Sequence, residues 1–253
     1  VRRGRPRGLE RGRAQARGGT GGESMSWRAL VIQHELPTPP GLLEPWLEGH
    51  GAEAEILRID EQDPHDLDPR DYGLIVSLGS EFGAYQDDLE WISHEVDFLR
   101  AATAADVPIL GVCFGGQLLA RVLGGEVFRS EREEIGWLPI RTRDPELVPE
   151  GPWFQWHFDT FTLPPGARLL AETEVGPQAY AAGRSLGVQF HPEVTPEIMD
   201  SWVATYRHEL DEHGVDPDRL LEETHTGSAE NRATSIKLLD RFLERVARVG
   251  KAA

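Results

Sequence analysis

The sequence predicts an α/β protein, with a mixed, mostly parallel sheet flanked by helices. Two observations carry this. Short apolar strands alternate with helical spacing from Ala29 to Gly125, and such alternation implies parallel strands joined by crossover helices. Two of those strands run straight into glycine-bearing turns, at Leu78-Gly79 and at Val112-Cys113-Phe114-Gly115. Functional groups gather at the carboxyl ends of strands in such sheets.

The elements follow in order. Ala29 to Gln33 is a short apolar strand, and three prolines within residues 34–40 make a loop. Gly41 to Gly49 carries Leu42, Leu43, Trp46 and Leu47 at helical spacing, with Pro45 early enough to be tolerated. Glu53 to Ile59 alternates as a second strand, and Asp60 to Asp71 is an acidic loop with a solvated His65. Leu74 to Leu78 is the third strand. Asp87 to Ala105 is a long helix with acids in its first turns, as the helix dipole prefers, and His94 is a surface or packing residue in it. Val107 to Val112 is the next strand, and apolar residues 118, 119, 122 and 123 continue as a helix up to Gly124-Gly125.

Beyond Gly125 the pattern predicts short strands at 126–128, 135–140, 153–156, 168–171, 178–182 and 186–190, separated by proline and glycine turns. Thr195 caps a helix over 196–208. Residues 211–227 read as a polar loop, with Leu220 and Leu221 in a short helix at most, and 228–248 as a final amphipathic helix.

The turn at Gly111-Val112-Cys113-Phe114-Gly115 has the strand–turn–helix form of a nucleophile elbow, with sulfur in place of oxygen. The helix start beside it favours the thiolate. On its own the elbow leaves two readings open, a core cysteine or a nucleophile, because free cysteines are among the most buried residues. A nucleophile needs a base, and the base needs an orienting carboxylate. Gln189-Phe190-His191-Pro192-Glu193 supplies both, with His191 and Glu193 expected on one face of an entering strand.

Composition bounds the rest. The chain has 253 residues, 39% of them hydrophobic, with 43 acidic against 26 basic and a net charge of −17. The acidic balance argues against nucleic acid as a partner. No apolar run is long enough for a membrane span. The single cysteine excludes an internal disulfide and a Cys-rich zinc site, which makes a reducing cytoplasm the default. Residues 1–25 are Arg/Gly-rich and read as a disordered extension, or as sequence ahead of a start at Met25. The expected organisation is residues 1–25 as that extension, 26–210 as the catalytic domain, and 211–253 as a C-terminal helical segment packed on it, with its last residues fraying.

The order Cys…His…Glu, with this elbow and His-Pro-Glu, resembles the class I glutamine amidotransferases. The likeness runs from Trp27 to Trp202. It is carried also by Leu78-Gly79-Ser80, Glu134-Ile135-Gly136-Trp137, Gln155-Trp156-His157 and Asp159-Thr160-Phe161, which look like the stand-alone, GMP-synthase-like members. Two motifs depart from the family's usual form. Cys-Phe-Gly-Gly-Gln stands where Cys-Leu-Gly-Ala-Gln or Cys-Leu-Gly-His-Gln is common, and Phe158 stands where glycine usually separates His157 from Asp159.

The resemblance implies the flavodoxin-like fold of that family. It implies Cys113 as nucleophile, His191 as base, Glu193 as its orienter, and the amides of Gly79 and Phe114 as oxyanion donors. It gives Gln117 the amino-acid end of a glutamyl group and puts Phe158 at the substrate pocket, with His157 and Asp159 supporting the pocket wall. It implies no metal and no cofactor. The bound partner would be glutamine or a γ-glutamyl small molecule. Three functions stay open: a glutaminase supplying ammonia to a separate synthetase, a self-sufficient γ-glutamyl hydrolase, and a non-catalytic binding or regulatory subunit.

Overall fold

The computed structural model describes residues 26–249, so the Arg/Gly-rich stretch 1–25 and the last four residues lie outside it. The described chain forms strands β1 (Trp27–Gln33), β2 (Ala52–Arg58), β3 (Leu74–Ser77), β4 (Ile109–Val112), β5 (Val127–Leu138), β6 (Arg141–Thr142), β7 (Trp153–Phe161), β8 (Arg168–Glu172), β9 (Pro177–Ala182) and β10 (Ser185–Val188). Its helices are α1 (Leu43–Gly49), α2 (Glu90–Ala104), α3 (Phe114–Val122), α4 (Pro196–Thr205), α5 (Arg207–Glu212) and α6 (Pro217–Phe242). No helix among the described residues is long and apolar enough to cross a membrane.

An eight-stranded sheet runs in the order β2-β1-β3-β4-β10-β9-β8-β6, and β5 pairs with β7 in a separate ribbon. From β2 to β10 neighbours are parallel, and from β10 outward they are antiparallel. This is the mixed, mostly parallel sheet the sequence predicts. Strands buried on both faces read as continuous apolar runs, and β1 shows why. Ala29 and Val31 enter one core with α1 and the C-terminal part of α6, while Leu30 and Ile32 enter another with α2 and α3. A third core lies under the ribbon, where Phe154 of β7 meets Ile198, Met199, Trp202 and Val203 of α4.

Three expectations need correction. Residues 126–128 and 135–140 are not two strands: β5 is one strand with an irregularity between Arg129 and Glu134, where the pairing with β7 shifts register. The helix expected over 196–208 breaks at Tyr206, which separates α4 from α5. Residues 217–227, expected as loop, belong to α6. The Asp216 side chain accepts from the amides of Asp218 and Arg219, and Pro217 opens the helix. The helix runs 26 residues between two cores, anchored by Leu220 in the third and by Leu238, Leu239 and Phe242 in the first. Between its anchors it is largely polar, so the apolar periodicity lapses where the helix does not.

The turn from β4 into α3 fits only because backbone meets backbone there. A Cβ on Gly115 would sit 2.1 Å from the Ser77 carbonyl oxygen, whereas one on Gly49 would meet nothing within 4 Å. Gly115→Ala is therefore expected to destabilise by about 1–3 kcal/mol or to block folding. Gly49→Ala should be neutral or stabilising by up to about 1 kcal/mol. Denaturant midpoints of the two variants check this pair of outcomes.

Candidate active site

Three strand ends meet at one place. β10 pairs in parallel with β4 so that Val188 lies opposite Val112, and the Cys113 amide donates to the Val188 carbonyl at 2.8 Å. Ser77 of β3 lies opposite Gly111, and the Gly115 amide donates to the Leu78 carbonyl at 3.0 Å. The chain segments carrying Gly79, Cys113 and His191 thus leave the sheet side by side.

Cys113 sits just ahead of α3 with φ 51° and ψ −108°, a conformation that L-residues rarely adopt. It is the N-cap of α3, at the positive end of the helix dipole. His191 and Glu193 are buried beside it, and His191 Nδ1 lies 2.7 Å from Glu193 Oε1. The expected contact forms, but not on a strand: β10 ends at Val188, and the two residues meet across a turn. The Leu42 amide donates to the Glu193 carbonyl at 3.0 Å and ties that turn to the entry of α1. Trp202 lies edge-on to the imidazole, with ring centroids 5.0 Å apart.

Burial alone would lower the His191 pKa. The Glu193 carboxylate, and after it the Cys113 sulfur, outweigh that and raise it to about 10. The imidazole is therefore favoured in its protonated form, between the Cys113 sulfur on one side and the Glu193 carboxyl group on the other.

Gly79 lies over this pair: a Cβ there would stand 3.0 Å from His191 Cε1 and 3.8 Å from Cys113 Cβ. The Gly79 and Phe114 amides donate to no backbone carbonyl among the described residues. Behind them lies a group that the sequence reading passed over. His34, directly after β1, is fully buried with Glu95 of α2, its Nε2 2.8 Å from Glu95 Oε2. Its Nδ1 is 3.1 Å from the Gly79 carbonyl oxygen, and its ring meets Phe114 edge-on at 4.8 Å. Ser77 Oγ donates to the other Glu95 oxygen at 2.7 Å. Burial lowers the His34 pKa, and Glu95 outweighs that and raises it; both ring nitrogens and both carboxyl oxygens have partners. Nothing in sequence spacing links positions 34, 77 and 95; only the sheet order does.

A cavity of about 430 Å³ opens over Cys113. Gln117, His157, Phe158 and Asp159 line it, as do Arg129 and His213. The Arg129 guanidinium lies 4.6 Å from the centre of the Phe158 ring, and His213 packs on that ring at 5.0 Å. Gln117, expected to hold the amino-acid end of a glutamyl group, lines this cavity. Its Nε2 donates to the Asp159 carbonyl at 3.2 Å and to Gln189 Oε1 at 3.1 Å. His157 Nδ1 lies 3.1 Å from the Asp159 carbonyl, and its Nε2 is 3.0 Å from Glu134 Oε2 without hydrogen-bond alignment. Among the described residues no three His, Cys, Asp or Glu side chains are arranged to hold a metal.

Comparison with known proteins gives the family. Residues 45–205 match the family model described as "Glutamine amidotransferase class-I". The chain is 40% identical over 154 residues to a "GMP synthase [glutamine-hydrolyzing]" of Aeropyrum pernix, a match covering 54% of this chain and 28% of that protein. It therefore spans less than a third of that relative's length. Among solved structures it is similar to a glutamine amidotransferase from Thermotoga maritima, with TM-score 0.79 and 31% identity over 86% of this chain and 98% of that one. A glutamine amidotransferase from Methylobacillus flagellatus gives TM-score 0.80 and 28% identity, covering 89% and 98%. The family model covers well over half of the chain and the fold agrees over 86–89% of it: the chain belongs to the class I glutamine amidotransferase family.

Proposed function

We propose that the chain hydrolyses the γ-amide of glutamine through Cys113, His191 and Glu193. What carries the reading is the line Glu193–His191–Cys113 at the ends of adjacent parallel strands, with the imidazole held protonated between two acidic groups. The Cys113 thiolate adds to the γ-carbonyl carbon. The amides of Gly79 and Phe114 receive the oxygen as it gains negative charge. The tetrahedral adduct collapses as His191 gives its proton to the leaving nitrogen, so that ammonia departs and a γ-glutamyl thioester remains. His191, now neutral, takes a proton from water. The hydroxide adds to the thioester carbon, the C–S bond breaks, glutamate leaves, and the thiolate–imidazolium pair is restored. Glu193 keeps the ring oriented throughout and favours its charged form.

The relatives are named as glutamine-hydrolysing GMP synthases, which supports glutamine as the amide donor and a synthetase as the user of the ammonia. A second reading has its own support. The cavity of about 430 Å³ is of a size that takes a ligand larger than an amino acid, and Phe158, Arg129 and His213 stack at its edge. A γ-glutamyl amide with a bulkier amine would fill that space.

Release of glutamate from glutamine, and from a panel of γ-glutamyl amines, tests both readings. The unsubstituted protein should release glutamate, and Cys113→Ala should lose at least about 10³-fold in turnover. A Cys113→Ala protein with undiminished turnover would sink the mechanism. Preference for a γ-glutamyl amine, lost on Phe158→Gly, would favour the second reading.

The His191 environment also predicts a pH dependence of stability. Its pKa is raised from 6.5 to about 10 in the folded chain. The stabilisation of the charged ring is fully present below pH 6.5 and is lost as pH rises through about 10. The melting temperature should fall over that interval, and by less in Glu193→Gln. Equal falls in the two proteins would show that the carboxylate does not hold the ring protonated.

A further inference from the structure

Gln189 has no part in the chemistry above. It is the first residue after β10 and is fully buried. Its side-chain Nε2 donates to Cys113 Sγ at 3.6 Å, and its Oε1 accepts from Gln117 Nε2 at 3.1 Å.

The two ends of a carboxamide have nearly the same shape, so its orientation must come from the hydrogen bonds around it. Here it is decided from one end of a chain of groups. The Asp159 main-chain oxygen can only accept, so Gln117 must present its NH₂ to it, at 3.2 Å. That same nitrogen faces the side chain of Gln189, which must answer with its oxygen. What remains for the sulfur is the NH₂ of Gln189. A donor facing the sulfur favours the thiolate, and hydrogen bonds to a charged acceptor are about twice as strong as neutral ones. An oxygen in the same place would repel it.

We propose that Gln189 is a catalytic residue whose carboxamide N–H holds the Cys113 sulfur as thiolate. Gln117 and the Asp159 carbonyl are positioning groups that keep that N–H turned to the sulfur. The hydrogen bond acts twice in a turnover. It holds the attacking thiolate, and it receives the sulfur again when the thioester C–S bond breaks. The proposal rests on Cys113 being the nucleophile, and it gives Gln117 a positioning part beside the one expected of it toward a glutamyl group.

Cys113 is the only cysteine, so alkylation by iodoacetamide reports it alone. The alkylation rate of the full chain is followed from about pH 5 to pH 10, a range that brackets thiol titration. Gln189→Glu keeps the size and removes the donor, and should move the midpoint of the profile up by about one pH unit or more. Gln189→Met removes the donor without adding charge and should move it in the same direction by less. Gln117→Met frees Gln189 to turn and should give a smaller rise again. A merely loosened site would change the high-pH plateau and leave the midpoint alone. Midpoints of both Gln189 variants coinciding with that of the unsubstituted protein would overturn the proposal.

A measurement on the unsubstituted protein guards against variants that fail to fold. With ¹⁵N-labelled glutamine, the Gln189 side-chain amide proton signals should shift as Cys113 titrates, and signals that stay fixed would equally overturn it. Neither readout needs turnover. A shifted midpoint with no glutamate release from any γ-glutamyl amide would sustain the hydrogen bond and sink the hydrolase reading. Release with an unshifted midpoint would do the reverse.

Discussion

The structure depends on one pairing, the parallel register of β10 against β4. Parallel neighbours end on the same side of a sheet, so two segments about 75 residues apart in sequence are delivered to one edge. The bond from the Cys113 amide to the Val188 carbonyl is the last rung of that ladder. It fixes where the elbow begins and where the chain toward His191 leaves. A slip of one residue would turn each side chain of β10 to the opposite face, and Gln189 would no longer face the sulfur.

Around that pairing the protein uses buried polar groups sparingly and engages them closely. The His34–Glu95 pair has no exposure, yet each nitrogen of the ring and each oxygen of the carboxylate has a partner. Such pairs cost desolvation, and they persist where the geometry meets every lone pair. This one is tied to the Gly79 carbonyl and packs on Phe114. On the other side, Gln117, Gln189 and the Asp159 carbonyl form a second linked set. Glu193 differs: its second oxygen has no partner among the described residues.

The parts of this architecture that were legible in sequence are those set by local rules. Glycines flanking a cysteine between a strand and a helix announce a tight turn, because the close backbone approach at Gly115 leaves no room for a Cβ. His191 and Glu193 were legible as a pair because they are two residues apart, although the turn, and not strand alternation, brings them together. The groups missed are those whose partners come from other strands. His34 looks like a loop residue until β1 is placed beside β3, and nothing marks Arg129 until the β5–β7 ribbon sets its exposed guanidinium over Phe158. Gln189 lay inside a motif already singled out, but its role needs the side chain of Gln117 and a carbonyl from β7. The N-terminal part of α6, 217–227, read as loop because a polar stretch separates Leu220 from the apolar residues at the far end of the helix.

That last feature has a mechanical consequence. α6 is a single rod of 26 residues fastened at one end beneath the ribbon and α4, and at the other against the main sheet. A rigid strut between two hydrophobic layers obliges them to melt together: freeing the ribbon would tear Leu220 from its seat while Phe242 stayed bound, and the strain would pass along the helix. The wall of the cavity and the sheet that presents the sulfur therefore share one cooperative unit, and a loosened substitution at either anchor is felt at the other.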